Sequence, residues 1–317
     1  MLGRHAVGLV LASAVSLAHA QDAREWLNRM NTALEERNYI GTFVHVHDEN
    51  VETLHVIHRN LDGSVAERIV SRDGIGREIV RENDHVQCIL PDRRVVLLEK
   101  RRDGNPWLST TPSYSEKLEQ NYRFKVYNTD RIADRETQII GITPKDEFRY
   151  GYVLWLDIET AMPLKSQLRE ASRIVEEILF SEIDFPESIP DSVLEPSIST
   201  DGFTLYDAQH DDHEVAAADS VPWSVSSLPG GFQLTDSNYR PIAGSKYPVE
   251  HLVYSDGLAT VSVFIEDPKT DADVAEGFSV VGSTNAFSTT VRGRKVTAVG
   301  EVPRHTVHSI ATSLQPR

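Results

Sequence analysis

From residue 40 to residue 183 the chain breaks into segments with a period of two, most of them separated by short polar turns. Segments 40–47, 52–58, 65–71, 77–81, 85–90 and 94–99 follow one another across turns such as Asp48-Glu49-Asn50 and Arg72-Asp73-Gly74, and 123–127, 132–141, 149–156, 163–169 and 174–183 continue the series. A period of two sends successive side chains to opposite faces of an extended chain, so this stretch is expected to fold as a long antiparallel meander. Ahead of it Asp22 and Glu25 have capping-box spacing, and Ala23, Trp26, Leu27, Met30, Ala33 and Leu34 recur at three and four residues, the pattern of one amphipathic helix. One more helix is expected near 115–121.

Several of these strands are apolar on both faces. In Tyr150-Gly151-Tyr152-Val153-Leu154-Trp155-Leu156 one face carries Tyr150, Tyr152, Leu154 and Leu156, while the other still carries Val153 and Trp155. An antiparallel sheet with one wet face alternates more cleanly, so something apolar has to cover the second face. The helices are too few to do so alone. The spacing therefore admits equally a curved sheet holding an apolar groove and a closed barrel or sandwich with an ordinary core. Phe43, Tyr152, Leu154 and Trp155 are the candidate lining residues of such a groove.

The N-terminus reads as an export signal. Arg4 and His5 precede the apolar run Ala6 to Leu17, and Ala18-His19-Ala20 supplies the small-x-small pattern of a cleavage site. The run is shorter than the ~20 residues that span a bilayer. Residues 1–20 are thus expected to be removed, leaving a soluble periplasmic chain that begins at Gln21. Acidic residues outnumber basic ones 48 to 32, a net charge of -16, which argues against nucleic acid as a partner. Cys88 is the single cysteine, so neither an internal disulfide nor a cysteine-based metal site is possible. Its apolar surroundings mark it as a small buried hydrophobe.

A chain of this length exceeds what one core usually serves. From Pro186 the composition turns to proline, serine and the acidic run Asp207 to Glu214, and 196–221 is expected to be a flexible acidic linker between domains 21–195 and 222–317. In the second domain Ser255-Asp256-Gly257 joins 249–254 to 258–266 as a hairpin. Two further strands are expected near 277–282 and 295–302, and Val307, Ile310, Ala311 and Leu314 keep helical spacing after Pro303. The expected fold class is mainly β (α+β): a large antiparallel sheet with few helices, and a small domain of about four strands closed by a C-terminal helix.

No P-loop, no Gly-x-Ser-x-Gly elbow and no dinucleotide fingerprint is present, so neither catalytic residues nor a cofactor is assigned. His45 and His47 share one strand face, with His55 and His58 in the next strand. A metal there would need further ligands and supporting groups that the sequence does not identify, whereas a solvated sheet face needs nothing more. His210 and His213 rank lower, because a flexible segment does not preorganise ligands. A binding protein rather than an enzyme is expected.

Longer strings carry a likeness. Tyr39-Ile40-Gly41-Thr42-Phe43-Val44, the run from Thr143 to Tyr152 and the run from Asp157 to Ser166 resemble the large domain of the RseB/MucB family. Leu228-Pro229-Gly230-Gly231-Phe232, Tyr254 to Ala259, Val261 to Glu266 and Val299 to Pro303 are similar to its small domain, in the same order. The resemblance implies a periplasmic negative regulator of the extracytoplasmic (sigma-E/AlgU type) sigma-factor response. Such a protein binds the periplasmic segment of a single-pass inner-membrane anti-sigma factor and shields it from regulated proteolysis. The resemblance further implies a half-open antiparallel barrel of the LolA/LolB type with an apolar cavity, and release by lipid or lipopolysaccharide fragments. Phe232, Tyr254 and Phe264 are the candidate partner contacts, by aromatic content near the small-domain hairpin, with core packing as the other role for Phe232. The alternative function is a lipid or lipoprotein carrier, which explains the large domain but gives the small one no role. A homo-oligomer is compatible with either.

Overall fold

The computed structural model describes residues 10–74, 76–100, 112, 114–208, 222–240, 249–266 and 276–317. Helix α1 (Val10–Glu36) buries Ala23, Leu27, Met30 and Leu34, the stripe that the spacing marks. The strands that follow are β1 (Tyr39–His47), β2 (Asn50–Leu61), β3 (Ser64–Ser71), β4 (Glu78–Glu82), β5 (His85–Leu90) and β6 (Val95–Lys100). After a 3-10 turn, Glu116–Gln120, come β7 (Tyr122–Ile132), β8 (Arg135–Pro144), β9 (Gly151–Asp157), β10 (Pro163–Glu170), β11 (Arg173–Asp184) and β12 (Thr204–Ala208). They form one twelve-stranded sheet in the order β12-β6-β5-β4-β3-β2-β1-β11-β10-β9-β8-β7. Two meanders thus meet at the antiparallel pair of β1 with β11. Tight turns make this possible: Asp62 and Gly63 both have positive φ, the backbone that matches a hairpin to the right-handed twist of its strands.

Bulges in β11, with Ser181 extra opposite Thr42/Phe43 of β1 and Val175 extra opposite Leu168/Arg169 of β10, bend the sheet around α1. The concave face is a packed core. Leu27 and Met30 of α1 meet Phe43, Leu54, Ile140, Leu154, Leu156 and Phe180 from the strands, all buried. The helix therefore supplies much of the apolar cover that the two-faced strands require.

Between β11 and β12 the chain runs as a strap over the outer face. Ile189 and Leu194 pack on Ile57 of β2, Arg59 donates to the Ile189 carbonyl at 3.0 Å, and Ser197 donates its backbone N–H to Glu78 at 2.9 Å. The stretch 196–221, expected to be a mobile linker, contributes β12, which pairs in parallel with β6. Leu205 and Tyr206 of β12 stay exposed, so it is held by backbone pairing and not by the apolar burial that sequence patterning detects. Residues 209–221, with His210 and His213, lie outside the described residues, as do residues 1–9 of the expected export signal.

The small domain holds β13 (Trp223–Val225), β14 (Gln233–Arg240), β15 (Val249–Ser255), β16 (Thr260–Glu266), β17 (Gly277–Val281), β18 (Thr284–Val291), β19 (Arg294–Gly300), α2 (Arg304–Thr312) and β20 (Leu314–Pro316). Six strands form a sheet in the order β14-β15-β16-β19-β18-β17, and β13 pairs with β20. Two of the six, β14 and β18, exceed the expected four. Their buried positions include Ser237, Asn285 and Ser288, so an apolar alternation is missing from both. Val307, Ile310 and Ala311 of α2 close the core over Val263, Val296 and Ala298.

Candidate functional site

The two sheets meet along a seam centred on Arg149, in the loop that leads into β9. Its side chain is fully buried. It donates to both carboxylate oxygens of Asp146, at 2.9 and 3.0 Å, to the Gly230 carbonyl at 2.5 Å, and to Asp256 Oδ2 in a short ion pair. Asp256 sits in the β15–β16 turn, where its other oxygen accepts the backbone N–H groups of Leu258 and Ala259 at 2.9 and 2.7 Å. Tyr122 donates its hydroxyl to Asp256 at 3.0 Å, and burial together with that carboxylate pushes the Tyr122 pKa up. The guanidinium also lies 5.1 Å from the Phe232 ring. Two more bonds stitch the seam: Asn285 donates to the Tyr150 hydroxyl at 2.9 Å, and Thr306 to the Phe148 carbonyl at 2.8 Å.

A second polar cluster lies on the same seam. Glu176 of β11 accepts from His45 at 2.9 Å, and Ser283 donates to Glu301 at 3.0 Å. Burial works to raise the Glu176 pKa, but hydrogen bonds from His45 and Ser283 outweigh it and hold it below the usual range. Glu301 moves the other way, raised by burial and then by the charge of Glu176. Two carboxyl groups from different sheets thus share one partly desolvated place.

Hollows open along the seam among the described residues. One of about 270 Å³ is lined by Tyr122, Tyr150, Tyr152, Leu258 and Glu301, and one of about 490 Å³ by Tyr127, Arg149, Tyr152 and Arg169. The largest, about 870 Å³, lies between the β10–β11 turn and the β17 edge and contains Arg173, Phe278, Val280, Arg304, His305 and His308.

The candidate lining residues are divided among three places. Phe43 and Leu154 are buried in the core against α1, with Phe43 5.4 Å from the Phe180 ring. Tyr152 shares the face of Leu154 but reaches the seam, where burial and the charges of Glu301 and Glu176 push its hydroxyl pKa up. Trp155 points to the outer face, donating to Asp130 at 3.0 Å with Lys165 Nζ 4.9 Å from its ring. The candidate partner contacts separate as well. Phe232 is buried under Arg149, Tyr254 is buried in the small core with its pKa raised to about 12 by desolvation, and Phe264 stacks on His251 at 4.5 Å on the opposite face of the sheet. His45 bonds Glu176, His55 bonds Thr42 at 3.2 Å and His58 bonds Glu67 at 3.1 Å. Among the described residues no group of three or more His, Cys, Asp and Glu side chains is arranged to hold a metal.

Sequence reading missed Arg149, Asp256 and Tyr122. Their sole signal was position, a lone arginine entering an apolar strand and an aspartate in a Ser-Asp-Gly turn, which reads as turn chemistry alone.

Models of the MucB/RseB N-terminal domain and the MucB/RseB C-terminal domain match residues 22–198 and 217–315. The chain belongs to the MucB/RseB family. The sigma factor AlgU regulatory protein MucB of Pseudomonas aeruginosa is 33% identical over 309 residues, 96% of this chain and 94% of MucB. The complex structure of Pseudomonas aeruginosa MucA/MucB matches with a TM-score of 0.72 at 30% identity, over 93% of this chain and 99% of that one. A crystal structure of MucB in complex with MucA(peri) matches with a TM-score of 0.70 at 31% identity and the same coverage. The strings that carry the MucB/RseB resemblance converge on the seam. Residues 143–152 supply Asp146, Arg149, Tyr150 and Tyr152, residues 228–232 supply Gly230 and Phe232, residues 254–259 supply Asp256, and residues 299–303 supply Glu301.

Proposed function

We propose that this chain is a regulatory binding protein that holds the periplasmic segment of a single-pass anti-sigma factor and shields it from regulated proteolysis. The observation that carries this reading is the full-length match to MucB in complex with MucA(peri), which spans both domains and the seam between them. A lone carrier domain would leave the small sheet and its buried Arg149–Asp256 contact without a role. The same reading places the chain in the periplasm after cleavage behind Ala20, with domains 21–195 and 222–317. It also makes the chain a non-enzyme whose partner is released by a lipid or lipopolysaccharide fragment. The lipid-carrier alternative needs room at Phe43 and Leu154, where Leu27 and Met30 of α1 already pack.

The test is to titrate the mature chain with the periplasmic segment of the anti-sigma factor from the same genome, then to expose the complex to the protease that cuts that segment. Micromolar or tighter binding with slowed cleavage is expected. Absence of binding, or cleavage at the free rate, defeats the reading.

A further inference from the structure

We propose that the open edge of β17 takes an extended stretch of the anti-sigma segment as a seventh strand, with acidic side chains of that stretch over the cleft containing Arg304. This deepens the binding role above and rests on it.

The backbone supplies the first argument. β17 ends the six-stranded sheet, and among the described residues its ladder partner is β18. Val281 pairs with Thr284 across the two-residue turn Gly282-Ser283, which makes them a hydrogen-bonded pair. Bonded and non-bonded pairs alternate along an antiparallel ladder. Ser279 therefore points its N–H and C=O toward β18, and Phe278 and Val280 point theirs outward along the free edge. Sheets normally blunt such an edge with charge, proline or a bulge. β17 is Gly277-Phe278-Ser279-Val280-Val281, with none of these, and Phe278, Val280 and Val281 are 43%, 47% and 80% exposed. An uncharged, solvent-facing edge with two outward amides is the template on which an added strand forms.

Charge identifies the occupant. The cleft beside this edge contains Arg173, Arg304, His305 and His308 against Asp48 and Glu170, on a chain whose net charge is -16. Glu170 is already held by Arg173. Arg304 lies 4.5 Å from the Phe278 ring and makes no ion pair among the described residues. The two arginines and two carboxylates of the cleft balance formally, which leaves Arg304, with no ion pair of its own among the described residues, as the cation that an acidic side chain of an added strand can meet. A strand that carries acidic residues on the face it shares with Phe278 and Val280 would bring them to Arg304, which lies over that same face. A second copy of this chain fits less well. Two-fold pairing of β17 with itself would bring two Arg304 side chains to the same face of the joined sheet, where like charges repel.

The test uses the intact mature chain and the partner's periplasmic segment, with affinity measured by calorimetry for wild type, Val280→Pro, Val280→Ala and Arg304→Glu. Val280→Pro deletes an outward amide and leaves the β18 ladder untouched, whereas Val280→Ala keeps that amide. The expected result is a loss of about tenfold for Val280→Pro, the scale of one or two backbone hydrogen bonds, against less than about threefold for Val280→Ala. Arg304→Glu should weaken binding and flatten its salt dependence. Hydrogen exchange on wild type gives a reading that no variant's misfolding can spoil: the Phe278 and Val280 amides should become protected in the complex. Equal losses from the proline and alanine variants, or outward amides that stay unprotected in a saturated complex, overturn the edge while leaving the binding role standing. Val280→Pro that changes the oligomeric state but not the affinity likewise overturns it in favour of a contact between copies. No binding by wild type removes the underlying reading.

Discussion

The guanidinium of Arg149, at the foot of β9, closes on the carboxylate of Asp256 in the β15–β16 turn of the small domain, with both side chains entirely out of solvent. Removing one member strands the other charge in a dry place, a change that typically costs about 3–5 kcal/mol. Arg149→Met should therefore lower the unfolding free energy, measured by chemical denaturation, by that order. A cost under ~1 kcal/mol would mean that the seam is held elsewhere.

Gly231 has φ +86, and a Cβ there would lie 2.1 Å from the Asn121 side chain across the seam. Gly231→Ala combines backbone strain of about 1–3 kcal/mol with that collision. Gly230, its neighbour, meets nothing within 4 Å. Thermal unfolding should separate the two alanine variants by several degrees, with Gly230→Ala near the parent. Equal melting temperatures would contradict the placement of Asn121.

Glu301 and Glu176 give the seam a pH dependence of known sign. The Glu301 pKa is raised, so its contribution to stability is complete below the ordinary value of 4.5 and is lost as pH rises through the raised value. The Glu176 pKa is lowered, so its contribution is present above 4.5 and is lost as pH falls through the lowered value. Glu301→Gln should be more stable than the parent at neutral pH, with the advantage shrinking as the parent protonates in acid. Stability curves that stay parallel from pH 4 to pH 8 would show that Glu301 does not titrate in that window.

Leu154 and Trp155 are neighbours in sequence with opposite surroundings. Leu154→Ala empties a fully buried site against α1 and should cost about 2–5 kcal/mol. Trp155→Phe keeps a ring under Lys165 and loses the bond to Asp130, worth about 1 kcal/mol. Urea titration of both checks the assignment of faces, and a reversed order would refute it.

Strand positions were legible because period-two apolar spacing reports burial directly, and eleven of the twelve large-sheet strands, β1 to β11, coincide with expected segments. Strands β12, β14 and β18 were not legible, for the opposite reason. Their positions are exposed or satisfied by polar pairing, as with Asn285 bonded to Tyr150 and Val302, so patterning had nothing to detect. The candidate residues were divided by the structure among different faces. The two-faced pattern of its strand made Trp155 a groove candidate and aromatic content made Phe264 a contact candidate, and strand parity sends each to the face opposite its core. The ion pair was invisible because Arg149 and Asp256 lie 107 positions apart and neither belongs to a local motif.

The parallel pairing of β12 with β6 bears on how the large domain behaves when it is cut free. A fragment ended at residue 195 would lack Thr204 to Ala208 and bare a run of backbone donors and acceptors along Val95, Val96, Leu97 and Leu98. Such an apolar, unpaired border invites neighbouring molecules to zip onto it, so that fragment should precipitate, whereas one carried through Ala208 should stay dispersed.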